Sequence, residues 1–298
     1  MIAVIIPTLN EEEAIGEVVR GFPDEYRGHE VKKYVIDGRS TDSTVEKAKE
    51  AGAEVLHQRL GGGKGNAVRE ALGRIDAEYF LMIDGDGTYD PEEMDRLMDP
   101  LLEGGAEHVI GKREPERPGA IPHLNRFGNE VFNMVTRFST GESVHDMLSG
   151  YRSFTAESVR QMDFTRPGFG IETEMTFSAI ENHVTMEEVP ITYRRRRGES
   201  KLHPLKDGWK IINTIIWSIR DMNPLKFFSA ASLVLLVAAS YPGYLTVMQK
   251  IRAGKIYNLG PALFTSLLVI LAFQMFIFGL LADQIRNTEK RLKERMMR

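Results

Sequence analysis

An Asp-Gly-Asp motif, Asp84-Gly85-Asp86, follows the apolar run Tyr79–Ile83. A short apolar run predicts a buried strand, so both carboxylates are expected where that strand ends. Open α/β sheets bind ligands at the carboxyl ends of their strands. Two carboxylates one residue apart offer the hard oxygen donors that suit Mg²⁺ or Mn²⁺ carrying a diphosphate. Asp-Gly-Asp-Gly also favours an ordinary turn, so the motif alone leaves both interpretations open.

Two further loops have polar residues where a nucleotide could bind. The segment 7–12, Pro-Thr-Leu-Asn-Glu-Glu, follows the first predicted strand and suits a base and ribose. The alternative is a capped helix start, because Asn10 followed by acids fits a first turn. Asp37 ends the second predicted strand, where an acid can accept a hydrogen bond from a base or a ribose hydroxyl.

A glycine-rich loop at 60–66, Leu-Gly-Gly-Gly-Lys-Gly-Asn, opens a predicted helix and suggests an anion site. It is not a Walker P-loop, because Lys64 is followed by Gly65 rather than Ser or Thr. No Gly-x-Gly-x-x-Gly follows the first strand, which counts against a dinucleotide dehydrogenase. The seven histidines show no zinc-binding spacing, so none is predicted to bind zinc.

These loops are positioned by alternating strands and helices between residue 1 and about residue 110. Such alternation implies βαβ units and a mostly parallel, doubly wound sheet. The predicted strands are Ala3–Ile6, Tyr34–Ile36, Glu54–His57, Tyr79–Ile83 and His108–Ile110, and the predicted helices are Glu12–Arg20, Ser43–Glu50, Gly65–Arg74 and Glu92–Leu102. Residues 111–204 are predicted to be mixed and loop-rich.

Composition narrows the class of protein. The 298 residues allow one large domain and something smaller. The net charge of −4 provides no basic field for nucleic acid. The chain has no cysteine, which excludes disulfides and thiolate metal sites. Its N-terminus lacks the basic region and long apolar core of a signal peptide and is predicted to be the first strand.

Two segments near the C-terminus, 227–248 and 259–282, contain no charged residue. A membrane-spanning helix needs roughly 20 mostly apolar residues, so both qualify, with two buried helices of a soluble core as the alternative. Tyr241-Pro242-Gly243 is expected to kink the first segment or end it early. Basic residues before and after the pair weakly favour cytoplasmic termini, with the connection outside.

The segment before this pair is amphipathic. Leu205, Trp209, Ile212, Ile216 and Ile219 fall near one face of a predicted helix at 205–224. An interfacial helix leading into the membrane and an ordinary packing helix both fit this pattern. We predict a catalytic domain at 1–204, the amphipathic helix at 205–224, two transmembrane helices within 225–283 and a basic cytoplasmic tail at 284–298.

The order of these motifs resembles that of family 2 glycosyltransferases with the GT-A fold. The shared elements are Pro-Thr-Leu-Asn-Glu-Glu, an Asp after the second strand, Gly-Lys-Gly before a helix, and Asp-x-Asp after a later strand. Segments 146–154, 168–174 and 193–202 are similar to polyprenyl-phosphate sugar synthases. Leu148-Ser-Gly-Tyr-Arg152, Glu107-His-Val-Ile-Gly111 and Leu202-His-Pro204 are similar to the archaeal dolichyl-phosphate sugar transferases of S-layer N-glycosylation. The resemblance implies a GT-A catalytic domain, Rossmann-like with a mostly parallel sheet, followed by a two-helix transmembrane hairpin.

The resemblance also implies roles for individual residues. The nucleoside pocket of the donor site would be lined by Pro7, Leu9, Glu11 and Asp37. The nucleotide sugar would be contacted by Lys64 and Gly85. Mg²⁺ or Mn²⁺, together with the diphosphate, would be held by Asp84 and Asp86. The acceptor phosphate or the leaving diphosphate would be faced by Arg113, Arg126, Arg196 and Lys201. The acceptor or sugar site would be lined by Ser149, Arg152 and Ser200. The sugar would lie near Glu172 and Glu174, or these two acids would organise the basic groups.

Three departures from the family pattern bear on function. Gly38 follows Asp37 where many relatives have a second acid, which puts the base contacts in doubt. Thr88 occupies the position where the dolichyl-phosphate mannose branch can offer another metal ligand, and its hydroxyl is a poor one. The Gln-x-x-Arg-Trp motif of processive polysaccharide synthases is missing, which favours transfer of a single sugar.

A phosphate acceptor changes what catalysis requires. A hydroxyl acceptor needs a general base, whereas a phosphate monoester, with a second pKa of about 6, is already a dianion near neutrality. The four arginines at 194–197 suit phosphate recognition and contact with anionic lipid headgroups, and we expect one or two of them in the site and the others at the headgroups. In-line attack at the anomeric carbon would invert its configuration.

The sequence therefore predicts a multi-pass enzyme of the cell membrane with a cytoplasmic catalytic domain. It would transfer one sugar from a nucleotide-diphosphate sugar to dolichyl phosphate. UDP-glucose or UDP-N-acetylglucosamine is the preferred donor, and GDP-mannose is the alternative. A catalytically inactive nucleotide-binding scaffold and a lipid flippase or channel subunit are the competing classes. The sequence leaves the oligomeric state open.

Overall fold

The computed structural model describes residues 1–59, 61–116, 130, 133–134, 137, 144–162, 170–194, 217, 220 and 223–296. The chain divides into two compact units, residues 1–137 with 141–214 and residues 138–140 with 215–298. The predicted amphipathic helix at 205–224 lies almost entirely outside the described residues.

The first unit alternates strands and helices through its N-terminal half. Its strands are β1 (Ile2–Thr8), β2 (Glu25–Tyr26), β3 (His29–Asp37), β4 (Glu54–His57), β5 (Tyr79–Met82), β6 (His108–Pro115), β7 (Arg152–Thr155) and β8 (Met186–Tyr193). Its helices are α1 (Ile15–Arg20), α2 (Thr44–Glu50), α3 (Lys64–Arg74), α4 (Met94–Leu102), α5 (Ala156–Gln161) and α6 (Ile171–Glu181), with a 3₁₀ turn at Pro91–Glu93 before α4.

The strands form one sheet in the order β4-β3-β1-β5-β7-β6-β8, and the short β2 also pairs with β3. Strands β4, β3, β1 and β5 run parallel to one another, and β6 runs parallel to β8. Strand β7 is antiparallel to both β5 and β6. The predicted α/β class with a mostly parallel sheet is confirmed.

All five predicted strands exist, but β2, β7 and β8 were not predicted. Strand β7 has the sequence Arg-Ser-Phe-Thr, whose polar residues do not resemble a buried strand. Helix α1 begins at Ile15, three residues later than predicted, because Glu11 to Ala14 form a turn with hydrogen bonds back to Glu11 O. The described parts of the region 111–204 therefore contain two strands and two helices that the sequence did not predict.

The core lies on both faces of the sheet. Every residue of β1 is buried. Ile2, Val4 and Ile6 pack in a cluster with residues of α1 and α4. Ala3 and Ile5 pack in a second cluster with residues of α3 and α6. This alternation follows from the two-residue period of a strand, and it explains why the apolar run at 2–6 is continuous.

His108 is a fully buried histidine at the start of β6. Its ring stacks on Phe154 with centroids 4.4 Å apart. Within the described part of the chain, neither ring nitrogen has a hydrogen-bond partner. Burial, followed by the charge of Arg152, holds the pKa of His108 well below its usual range. The imidazole is therefore neutral in the folded protein.

We predict that this histidine makes the fold sensitive to acid. The unfolded chain binds a proton as the pH falls through about 6.5, whereas the folded chain does not, so stability decreases below that pH by up to roughly 1.4 kcal/mol per pH unit. His108→Phe should flatten this decline in urea unfolding between pH 7.5 and pH 5. The exposed His183→Asn variant is the control and should keep the wild-type profile. An unchanged profile in His108→Phe would contradict the prediction.

The second unit contains two long helices, α7 (Pro224–Ala253) and α8 (Leu259–Met296). Gly279 of α8 lies against Leu225 and Phe228, and Gly243 of α7 lies against Thr265, so the helices form an antiparallel hairpin. Both are long and apolar enough to cross a membrane. Helix α7 continues through Pro242 to Ala253, so the expectation that it ends early at this proline is wrong.

Candidate active site

The parallel strands β1, β3, β4 and β5 end at one edge of the sheet, and the predicted donor-site residues lie at those ends or in the loops that follow them. Strand β5 leads through the buried Ile83 to Asp84, Gly85 and Asp86. The backbone N–H of Ile83 donates to Ile5 O at 3.1 Å, which continues the pairing with β1 up to the acids. The rigid centre of the sheet thus fixes where the acidic loop starts.

Lys64 bridges two carboxylates at this edge. It is the first residue of α3, and its Nζ contacts Asp84 Oδ1 and lies 2.5 Å from Glu172 Oε1 in the first turn of α6. Burial alone would lower the pKa of Lys64, but Asp84 and then Glu172 raise it above its usual value. Burial raises the pKa of Asp84, and Lys64 offsets only part of that effect. The lysine is therefore a fixed positive charge between two acids.

Asp86 is organised by Thr88 two residues later. Its Oδ1 accepts hydrogen bonds from Thr88 N at 3.1 Å and from Thr88 Oγ1 at 2.7 Å. Thr88, which the sequence singled out as a poor metal ligand, thus orients the carboxylate beside it.

The family pattern implies a divalent metal ion at this edge. The carboxylates present fit such an ion only if a bound substrate also coordinates it. Within the described residues, no group of three or more His, Cys, Asp or Glu side chains is arranged to hold a metal ion. Mg²⁺ is commonly bound through one or two carboxylates together with substrate phosphates. Asp84 and Asp86 therefore fit a metal that is shared with a diphosphate.

Gly150 packs directly against Asp84. A Cβ atom at Gly150 would lie 2.5 Å from Asp84 Oδ2. The backbone N–H of Gly150 donates to the hydroxyl of the buried Tyr89 at 2.7 Å, which holds the glycine in place. Sequence reasoning missed this pairing because the two residues are far apart in the chain.

We predict that Gly150→Ala lowers the kcat/KM of sugar transfer by about 10²-fold, because a displacement of about 1 Å at a reacting site can cost that much. The methyl group has to push the Asp84 carboxylate away from its position. Gly73→Ala is the matched control, since a Cβ atom there meets nothing within 4 Å. Full activity in Gly150→Ala would show that the position of Asp84 is not critical.

The loops after β1 and β3 are joined by hydrogen bonds. Asn10 N donates to Ser40 Oγ at 2.9 Å, and Thr41 N donates to Asn10 Oδ1 at 2.8 Å. Glu11 N donates to Thr44 Oγ1 at 2.9 Å. Of the predicted nucleoside-site residues in the first loop, Pro7 is buried, Glu11 is partly buried and Leu9 is 45% exposed.

Asp37 is almost fully buried where β3 ends. Its carboxylate accepts hydrogen bonds from Arg39 N at 3.1 Å, Ser40 N at 3.0 Å and His57 Nδ1 at 3.1 Å. Burial alone would raise the pKa of Asp37, but these hydrogen bonds lower it below its usual value. Sequence reasoning missed His57, although β4 ends at the same edge and places it beside Asp37.

Arg113 lies on β6 and forms a two-pronged ion pair with Asp146. Its Nε and Nη2 donate to the two carboxylate oxygens at 2.8 and 2.7 Å, and its backbone N–H donates at 2.9 Å. Both side chains are 6% exposed. Glu188 Oε1 in turn accepts the Asp146 backbone N–H at 2.9 Å. The predicted contact of Arg113 with an acceptor phosphate stays a prediction.

Arg152 is fully buried at the start of β7. It donates to Ser149 O at 2.7 Å, Met147 O at 2.6 Å and Thr176 Oγ1 at 2.7 Å. Burial lowers the pKa of Arg152 to about 10. Arg152 and the buried Ser149 thus stabilise the segment that carries Gly150, and direct ligand contact by either residue stays a prediction.

A second ion pair connects α3 to α6. Arg69 Nη2 lies 2.5 Å from Glu174 Oε2, and the Glu174 carboxylate is 1% exposed. With the pair Lys64–Glu172, this fixes the start of α6 against α3. Four predicted site residues, Arg126, Arg196, Ser200 and Lys201, lie outside the described residues, as do Arg195 and Arg197 of the arginine run.

Comparisons with known proteins identify the family of this chain. Residues 3–162 match the family described as glycosyl transferase family 2. Glycosyltransferase AglJ of Haloferax volcanii is 39% identical over 305 aligned positions, which cover 98% of this chain and 97% of the relative. Dolichyl-phosphate hexose transferase of the same organism is 34% identical, over 72% of this chain and 92% of the relative.

A solved structure shows the same fold. Glucosyl-3-phosphoglycerate synthase of Mycobacterium tuberculosis, crystallised with Mn²⁺, UDP-glucose and phosphoglyceric acid, superposes with a TM-score of 0.60 and 25% identity. The match covers 72% of this chain and 77% of that one. The GT-A expectation for the catalytic unit is therefore confirmed, and the chain belongs to glycosyl transferase family 2.

Proposed function

We propose that this glycosyltransferase moves one sugar from a nucleotide-diphosphate sugar to dolichyl phosphate at the cytoplasmic face of a membrane, in a step that starts or feeds protein N-glycosylation. The single observation that carries the proposal is the edge of the sheet where Asp84, Asp86 and Lys64 converge beside the nucleoside-site loops. The two carboxylates suit the metal ion of a metal-bound diphosphate, and the lysine suits its phosphate oxygens. The name of one relative from Haloferax volcanii, dolichyl-phosphate hexose transferase, supports a polyprenyl-type acceptor.

The donor would bind across the ends of β1, β3 and β5. Pro7, Leu9, Glu11 and Asp37 would surround the nucleoside, and the diphosphate would lie over the acidic loop. Asp84 and Asp86 would hold Mg²⁺ or Mn²⁺, which supplies Lewis-acid stabilisation of the leaving diphosphate. UDP-glucose or UDP-N-acetylglucosamine is the preferred donor, and GDP-mannose is the alternative.

The acceptor would need no general base, because its phosphate is already a dianion. What the protein has to provide is close placement of two anions against their repulsion. Basic residues predicted for this task are Arg113, Arg126, Arg196 and Lys201. In-line attack by the phosphate oxygen on the anomeric carbon then expels the nucleoside diphosphate and inverts the configuration.

The hairpin of α7 and α8 would anchor the enzyme where a lipid-linked phosphate is available. Their apolar side chains are largely exposed, as expected for helices that face lipid. We propose two membrane spans, with both termini and the catalytic unit in the cytoplasm, from the distribution of basic residues.

A transfer assay tests this function. Purified protein would be incubated with dolichyl phosphate, Mg²⁺ or Mn²⁺, and a panel of labelled UDP and GDP sugars. Lipid-soluble label from one donor, lost with EDTA, is the expected result and identifies the sugar. Label from GDP-mannose alone would select the alternative donor. No transfer from any donor, with nucleotide binding intact, would contradict the proposed reaction and favour an inactive scaffold.

A further inference from the structure

Helix α8 extends beyond the helix that it packs against. It has 38 residues and is therefore about 57 Å long at 1.5 Å per residue, compared with about 30 Å for a bilayer's hydrocarbon core. Helix α7 begins at Pro224, close to Gly279 of α8, because a Cβ atom at Gly279 would lie 3.5 Å from Leu225 Cα. The C-terminal turns of α8 thus run past the start of its partner. A helix that projects into water alone is marginally stable.

A stripe of residues with alternating spacings of four and three runs along α8 into this extension. We call it the α8 stripe, and it consists of Leu267, Leu271, Gln274, Phe278, Leu281, Ile285, Thr288 and Leu292. All of these side chains are exposed except Leu271, which is half-buried. This spacing is the heptad pattern by which two helices pack along a seam.

The part of the α8 stripe that lies beyond the start of α7 gives the clearest evidence for a partner helix. Between positions 283 and 292, Ile285 and Leu292 are the only apolar residues in a strongly polar sequence. They are seven residues apart, and they are 62% and 54% exposed. In a segment that lies in water, contact with lipid cannot account for these two exposed apolar side chains. A second helix along the same seam would cover both.

Gln274 identifies the kind of partner. It lies fifteen residues after the start of α8, deep within the charge-free segment 259–282. Among the described residues, its exposed carboxamide has no hydrogen-bond partner. An unpaired amide in hydrocarbon is costly. A carboxamide both donates and accepts, so it is complementary to its own copy across a two-fold axis.

We propose that the α8 stripe is a self-association surface that pairs α8 with α8 of a second copy of this chain. The two Gln274 side chains would hydrogen-bond to each other and set the register, while Ile285 and Leu292 continue the seam beyond the membrane. The inference rests on the proposed membrane spans but not on the proposed reaction.

Cysteine cross-linking tests the surface directly, because the natural chain has no cysteine. Ile285→Cys and Leu292→Cys would each be oxidised in membranes, with Asn287→Cys as the control outside the stripe. Disulfide-linked dimers that form at least about threefold more in the two stripe variants are expected from the seam geometry. Equal cross-linking at all three positions, or none, would overturn the proposal. The second result includes the case in which the stripe packs on another part of its own chain.

The glutamine is tested separately. Gln274→Leu should weaken dimerisation in nanodiscs by about threefold to thirtyfold, as measured by single-molecule photobleaching. Ser266→Leu is the matched control, because the Ser266 hydroxyl already donates to Ala262 O at 3.0 Å within its own helix. Unchanged dimerisation in Gln274→Leu would remove the glutamine from the interface. Carbonate extraction of the wild type shows independently whether the chain is integral to the membrane.

Discussion

Asp86→Asn is expected to lower the rate of sugar transfer by at least about 10³-fold, since metal-bound charge stabilisation contributes several kcal/mol and each 1.36 kcal/mol is a factor of ten. The amide keeps the size of the side chain and one acceptor oxygen for Thr88, but it loses the negative charge that would hold the cation. Folding should change little. The measurement is kcat/KM with saturating Mg²⁺, alongside the thermal unfolding midpoint.

Asp76→Asn is the matched control for this substitution. It makes the same chemical change on an exposed aspartate that precedes β5, at the opposite end of that strand from the acidic loop. It should retain wild-type activity. If Asp86→Asn kept more than about a tenth of the activity, the factor of about 10³ derived from metal-bound charge would be wrong. The proposed role of Asp86 as a metal ligand would then be wrong as well.

Lys64→Met is expected to have the second-largest effect, because it leaves Asp84 and Glu172 facing each other without a cation. Removing one partner of a buried ion pair costs about 3–5 kcal/mol, and partial exposure of Lys64 reduces this to roughly 1–3 kcal/mol. Transfer should fall by at least about 10²-fold, since in the proposed reaction the lysine would also provide charge for the diphosphate. Differential scanning fluorimetry and the transfer assay measure the two effects.

The effect of Mg²⁺ on the Tm tests the role of Lys64 more specifically than the loss of activity does. A divalent ion can replace the missing ammonium as the partner of Asp84, so Mg²⁺ should raise the Tm of Lys64→Met more than the Tm of the wild type. Lys49→Met removes an exposed lysine of α2 and should match the wild type in both assays. Equal Mg²⁺ stabilisation of Lys64→Met and the wild type would show that the lysine does not offset the acids.

The sequence was sufficient to predict the parallel half of the sheet and the polar residues at its edge. Continuous apolar runs such as those of β1 and β5 mark strands buried on both faces, and the polar residues at their ends mark the ligand-binding edge. The sequence pattern alone therefore assigns Asp84, Asp86, Lys64 and Asp37 to one edge of the sheet. The two long apolar helices were equally clear from their length and composition.

The remainder depends on contacts that no local pattern encodes. Strand β7 contains the fully buried Arg152, and a strand that buries a charged residue violates the usual composition of a core strand. The pairing of Gly150 with Asp84 joins residues 66 positions apart, and the bond of His57 to Asp37 spans 20. These contacts exist only because the sheet order brings distant loops to one edge.

The antiparallel strand β7 also determines how the catalytic unit can be divided. Within the described residues, strand β6 pairs only with β7 and β8, which follow it in the chain, and β5 has β7 as its outer neighbour. A fragment that ends after α4 would contain every strand of the proposed nucleoside site but would expose the edge of β5, and bare edges of this kind promote aggregation. During synthesis, β6 has no strand to pair with until β7 leaves the ribosome. The N-terminal hundred residues thus form only part of the sheet and are not a separable folding unit.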